Sequence, residues 1–154
     1  MNDEIRRVFD AMRELPDYSQ VDPSDINSSG WDGDNALHYV VREGDFPAAK
    51  ELIEAGIKIN KAGDLGYTPL HMACMYGNME MVKLLVDKGA DLFALSEGDP
   101  PFTSARRAKQ DHICEYLAPL MKQAQFQDPK IRLKSSIARL RRQIADLEAQ
   151  LDRV

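Results

Sequence analysis

The chain has 154 residues, of which 44% are hydrophobic and 29% charged, at a formal net charge of −5. That length suits one compact domain with a real core, and that composition excludes a collagenous or wholly disordered polymer. The longest aliphatic run, Leu84-Leu85-Val86, excludes a helix that spans a bilayer, which needs about 20 apolar residues. The start, Met1-Asn2-Asp3-Glu4-Ile5-Arg6-Arg7, has no basic patch followed by an apolar stretch, so a cytoplasmic protein is expected rather than a secreted one. Cys74 and Cys114 show neither Cys-x-x-Cys nor Cys/His ligand spacing, which predicts two buried free thiols rather than a disulfide or a structural zinc site.

In chain order, Asp3 to Leu15 read as a helix with Ile5, Val8, Phe9 and Met12 along one side, placed to cap the core that follows. Pro16 to Gly30 read as a long loop, partly anchored by Tyr18, Val21 and Ile26. An internal repeat then takes over. Gly33, Leu37, His38, Gly44, Leu52 and Gly56 recur 33 residues later as Gly66, Leu70, His71, Gly77, Leu85 and Gly89. A third copy lies 32 residues further on, where Gly98-Asp99-Pro100-Pro101-Phe102-Thr103-Ser104-Ala105 and Ile113-Cys114-x-Tyr116-Leu117 stand. Within a unit the residues spell helix, tight turn, helix, long turn. Thr68 serves as N-cap with Pro69 at the first helical position, and Leu70, Ala73 and Cys74 form an apolar face. Gly77 ends that helix. Asn78 caps the next, which carries Met81, Val82, Leu84 and Leu85, and Gly89 closes it in the left-handed conformation. Helices of about ten residues are too short to stand alone and must stack.

Gly66-Tyr67-Thr68-Pro69-Leu70-His71-Met72-Ala73-Cys74-Met75-Tyr76-Gly77-Asn78 and Val82 to Asp91 resemble an ankyrin repeat almost position for position. The first copy is looser, with Asn35-Ala36 in place of Thr-Pro. The third lacks the His and has Lys109 where a glycine is usual, as suits a terminal cap. The resemblance implies an all-α ankyrin-repeat solenoid with repeats at 30–62, 63–95 and 96–124; the residues on either side read as an N-terminal capping helix and loop at 1–29 and a C-terminal coiled-coil helix at 125–154. It implies that His38 and His71 hydrogen-bond the loop backbone. It also implies protein binding through the tips of the long turns and the exposed side of the first helices. Carried over by position, that surface comprises Trp31, Asp32, Asp34, Arg42 and Glu43, then Asp64, Leu65, Tyr67, Met75 and Tyr76, then Glu97, Asp99 and Arg107. Aromatic anchors ringed by carboxylates imply a protein partner with a basic surface. For Trp31 and Tyr67 the alternative is packing between neighbouring turns.

Asp128-Pro129 restarts a helix. Leu133, Ile137, Leu140, Ile144, Leu147, Leu151 and Val154 alternate by 4 and 3, a heptad seam with Ile137 and Ile144 at a and Leu140 and Leu147 at d, which favours a parallel dimer. The alternative is that this stripe folds back on the solenoid. The segment is basic: residues 130–154 hold seven Lys/Arg against three acids, +4, which leaves −9 on residues 1–129. Without interleaved aromatics the basic residues read as the solvated outside of a coiled coil, so neither nucleic acid nor a membrane surface is expected as partner.

No His-Glu-x-x-His, Gly-x-Ser-x-Gly or phosphate-loop pattern occurs, so no catalytic residue, metal site or cofactor is expected. His71 and Cys74, three apart on one helix, read as packing rather than as a thiolate–imidazole couple, as does the cluster Met72, Met75, Met79 and Met81. The expected function is non-enzymatic protein binding. One form is an inhibitor of immunity type that masks a basic patch on a partner such as a bacterial toxin; the other is a dimeric adaptor that presents two binding faces through its coiled coil.

Overall fold

A computed structural model describes residues 3–151, and in the last helix every side chain except those of Pro129, Ile131, Arg132, Ser135, Ala138, Asp146 and Gln150. Helix α1 runs Asp3–Arg13 and stops two residues short of the sequence expectation. The next residues turn toward the 3₁₀ segment Pro16–Tyr18, since a residue before proline is pushed out of the helical region. Ile5, Val8, Phe9 and Met12 are all buried. They pack α1 against α2 (Ala36–Glu43) and α3 (Phe46–Glu54). Arg7 ties the cap down, bonding Glu4 on its own helix at 2.6 Å and Asp45, the N-cap of α3, at 2.5 Å. The loop is anchored at Tyr18 and Val21, which are buried, and at Ile26, which packs against the core.

The repeats follow as α4 (Pro69–Tyr76) with α5 (Met79–Asp87), then α6 (Pro101–Arg107) with α7 (Asp111–Gln127). The first helices stack as α2, α4, α6 and the second helices as α3, α5, α7, so two rows share one core. Equivalent positions meet in ladders: Leu52, Leu85 and Leu117 are each at most 1% exposed, and Ala48, Met81 and Ile113 are fully enclosed beside them. Each helix of eight or nine residues is only about 12–14 Å long, so this burial, rather than helix propensity, holds the array together. Asn27 and Asn60, 33 residues apart, repeat one further bond: each side-chain carbonyl accepts the backbone N–H of the next unit, Lys58 at 2.7 Å and Asp91 at 2.8 Å.

Where the third copy departs from the repeat, the backbone does not. Lys109 occupies the left-handed position, φ 58°, that Gly44 and Gly77 fill in the earlier units. A side chain there costs about 1–2 kcal/mol. The second expected buried thiol is corrected here: Cys74 is enclosed, but Cys114 is only partly buried.

Helix α8, Pro129–Leu151, restarts at the proline, with the Asp128 carboxylate accepting the Lys130 N–H at 2.8 Å. Leu133, Ile137, Leu140, Ile144, Leu147 and Leu151 are 40–74% exposed, so their stripe is not folded back on the solenoid. Val154, the last position of the expected seam, lies outside the described residues. Among the described residues the strand-like pairing is confined to two isolated bridges, Ser29–Asn35 and Ser96–Asp99, both in the long turns. No helix among them is long and apolar enough to cross a membrane.

Candidate functional site

The long turns are β-hairpin-like tips set side by side along the first-helix row. In the first, Gly30 donates to the Asp34 carbonyl at 2.8 Å. In the second, Gly63 donates to the Tyr67 carbonyl at 2.8 Å, and Leu65 (φ 51°) and Gly66 (φ 81°) form the tip. In the third, Ser96 and Asp99 exchange backbone bonds of 2.9 and 2.8 Å across Glu97 (φ 50°) and Gly98 (φ 87°).

Two buried histidines clip α2 and α4 each to the next hairpin. His38 Nδ1 accepts the Asn35 N–H at 3.1 Å and its Nε2–H donates to the Tyr67 carbonyl at 3.0 Å. His71 repeats this with the Thr68 N–H at 3.2 Å and the Asp99 carbonyl at 3.1 Å, and the Thr68 hydroxyl donates to the same Nδ1 at 2.9 Å. Only the neutral ring can accept at one nitrogen and donate at the other. Burial favours that form, holding both imidazoles below their ordinary pKa.

Asp34 bridges hairpins in a second way: its carboxylate accepts the Asp64 N–H at 3.2 Å. Gly63 makes that approach feasible, because a Cβ there would overlap the Asp34 carboxylate. Burial lifts the Asp34 carboxyl above the usual carboxylate range, against the pull of His38, whose Nε2 lies 3.9 Å away.

A cavity of about 330 Å³ opens between the first two hairpins, lined by Asp32, Asp34, Arg42, Asp64, Tyr67, Met72, Met75 and Tyr76. Three carboxylates share its lining with sulfur and aromatic carbon. Arg42 stands among these acids with its guanidinium 5.7 and 5.8 Å from the Tyr18 and Tyr39 ring centres, so the cavity carries less negative charge than a count of its carboxylates indicates. Tyr18 beneath it is buried, which pushes its phenol up to about 12.

The structure therefore gathers Asp32, Asp34, Arg42, Asp64, Tyr67, Met75 and Tyr76 at one cavity, but with different exposure. Tyr76 is 49% exposed and Met75 37%. Tyr67 is half-buried, edge-on to His71 with ring centres 5.6 Å apart, so it packs as well as presents itself. Asp34 is buried and spent on the neighbouring hairpin, which corrects its expected place on the outer surface. Trp31 stands outside the cavity at the first tip, 72% exposed, its backbone N–H bonded to the Asp17 carbonyl at 3.0 Å; it does not pack between turns. Glu43 lies exposed beside Arg42, 3.8 Å from its Nε, and Leu65 and Glu97 are exposed hairpin tips.

Asp99 and Arg107 form a separate cluster at the third repeat, Oδ2 to Nη2 at 2.6 Å, joined by a residue that sequence reasoning left in the solvated outside of the tail. Arg142 of α8 reaches the other Asp99 oxygen and the Gly98 carbonyl, the latter at 2.6 Å. It projects from heptad position f, opposite the a/d seam.

The Cys74 thiol is pushed up to about 12 by burial, so it is a protonated packing group at neutral pH and no nucleophile. Among the described residues no three of His, Cys, Asp and Glu converge as a metal site.

Comparison with known proteins accords with this geometry. The family model for ankyrin repeats (3 copies) matches residues 8–95 and 37–130. The tyrosine-protein kinase Shark of Drosophila melanogaster is 36% identical over 94 residues, 60% of this chain and 10% of that protein. Human protein phosphatase 1 regulatory subunit 27 is 37% identical over 67 residues, 43% of this chain and 44% of the subunit. The mouse RelA-associated inhibitor is 32% identical over 96 residues, 62% of this chain and 11% of the inhibitor. The chain spans less than half the length of each of these relatives. Stacked helix pairs, histidine clips, hairpin tips and the family match together establish that the chain belongs to the ankyrin-repeat family.

Proposed function

We propose that this chain is a non-enzymatic cytoplasmic inhibitor, of the immunity-protein kind, that covers a basic patch on one protein partner such as a bacterial toxin. A protein-interaction role follows from the repeats themselves. The finer reading is carried by the pairing of Trp31, 72% exposed at a hairpin tip, with the neighbouring cavity lined by carboxylates and methionines. A large exposed ring buries much area at low entropic penalty, and carboxylates around it favour Lys and Arg. Two relatives, by name a regulatory subunit and an inhibitor, support a role that acts through binding.

The exposed seam of α8 favours a second reading, a dimeric adaptor whose two faces bind with avidity. Leu140→Glu with Leu147→Glu in the full chain separates the two. An inhibitor keeps its partner at nearly unchanged affinity, whereas a bivalent adaptor loses both dimer and avidity, read by analytical ultracentrifugation and by binding to a partner-coated surface. A partner held equally well by Trp31→Ala with Tyr76→Ala would remove the basis of both.

A further inference from the structure

The basic segment was expected to be a solvated outer surface, yet one of its arginines is seated on the third hairpin. Arg142 Nη2 donates to the Gly98 carbonyl at 2.6 Å and to Asp99 Oδ1. The receiving hairpin is held from several sides. Its Ser96 and Asp99 exchange backbone bonds, the Asp99 carbonyl accepts from His71 Nε2, and the Ser96 hydroxyl donates to the Leu65 carbonyl of the hairpin before it at 2.9 Å. Arg107 fixes the remaining Asp99 oxygen at 2.6 Å. The left-handed Gly98, φ 87°, has open space where a Cβ would stand, so a guanidinium can approach its carbonyl.

We propose that the Gly98 carbonyl and Asp99 Oδ1 form a guanidinium subsite of the binding face, and that Arg142 fills it as an intramolecular latch which a partner's arginine must displace. Two features fit a latch rather than a permanent strut. Arg142 is 54% exposed although Asp99 is only 13% exposed, so water reaches the contact from the arginine's side and the guanidinium can exchange. It also projects from position f, so releasing or forming the contact leaves the a/d seam untouched. A tethered arginine competes at high effective concentration, which raises the threshold for a free one.

The proposal rests on the reading of a face that takes basic partners, but its test needs no partner. Isotope-labelled full-length chain is titrated with acetyl-arginine amide, and the Gly98 and Asp99 amides are followed by NMR. Arg142→Ala should bind the probe about fivefold more tightly than wild type, the scale of one exposed ion pair. Asp99→Asn should abolish the response, and uncharged acetyl-citrulline amide should give none. Equal affinities for wild type and Arg142→Ala overturn the latch; equal shifts with the citrulline probe overturn the subsite. Either failure leaves Trp31 and the first cavity, and with them the proposed inhibitor, to be judged by their own variants.

Discussion

Replacing His71 by Ala removes one ring from the centre of the hairpin row and tests whether the clips hold the array. The ring is fully buried. Its loss opens a cavity, leaves the Thr68 N–H and hydroxyl without their acceptor, and frees the Asp99 carbonyl. Cavity and orphaned polar groups together cost about 3 kcal/mol, which for a chain of this length lowers the melting midpoint by about 10 °C. The pH dependence gives an independent check. Burial depresses the His71 pKa in the folded chain, so below about pH 6.5 the unfolded state binds more protons and stability falls as pH falls toward the folded value. The largest slope one such group gives is about 1.4 kcal/mol per pH unit. Asp34 acts with the opposite sign, because its raised carboxyl binds protons in the folded state first, and it is entangled with His38. Subtracting His71→Ala from wild type cancels both. Thermal melts by circular dichroism at pH 7.5, 6.5 and 5.5 should therefore show a gap between the two proteins that narrows on acidification. A variant that melts within 2 °C of wild type, or a gap independent of pH, would refute the clip.

Other outcomes follow from single contacts. Gly63→Ala drives a methyl into the Asp34 carboxylate and should lower stability in urea by about 1–3 kcal/mol. Lys109→Gly relieves a left-handed side chain and should raise the urea midpoint by up to about 1 kcal/mol of stability, net of the flexibility glycine adds to the unfolded chain. Trp31→Ala should leave the melt within about 0.5 kcal/mol of wild type, since the ring is exposed. Tyr67→Ala, which loses its contact with His71, should shift the melt clearly downward.

Repeat and core were legible because the 33-residue spacing of glycines, leucines and histidines is a local pattern repeated in sequence. Even so, Asn27 and Asn60 share that spacing and the same bond, and neither was read as a tie between units, because an asparagine in a polar loop resembles any other turn residue. Lys109 shows the converse: the residue departs from the pattern while the backbone keeps it, since packing on the preceding repeats dictates the turn. At the candidate site, position within the repeat pointed to seven residues that line one cavity, but exposure was not readable. Asp34 and Asp32 are the same residue type two positions apart, and only the close approach of Gly63 draws Asp34 inward. Arg142 was illegible for a different reason, because its partner Asp99 lies 43 residues away and no periodicity links an α8 side chain to a hairpin tip.

On the proposed function, the chain holds a basic protein against Trp31 and the neighbouring acidic cavity. Affinity capture from the native host with wild type and with a Trp31→Ala, Tyr76→Ala, Asp64→Asn variant, both verified by their melts, tests it most directly. A basic protein should be retained by wild type at low salt, released as salt is raised, and absent from the variant despite an unchanged fold. The same protein retained by both chains would contradict it.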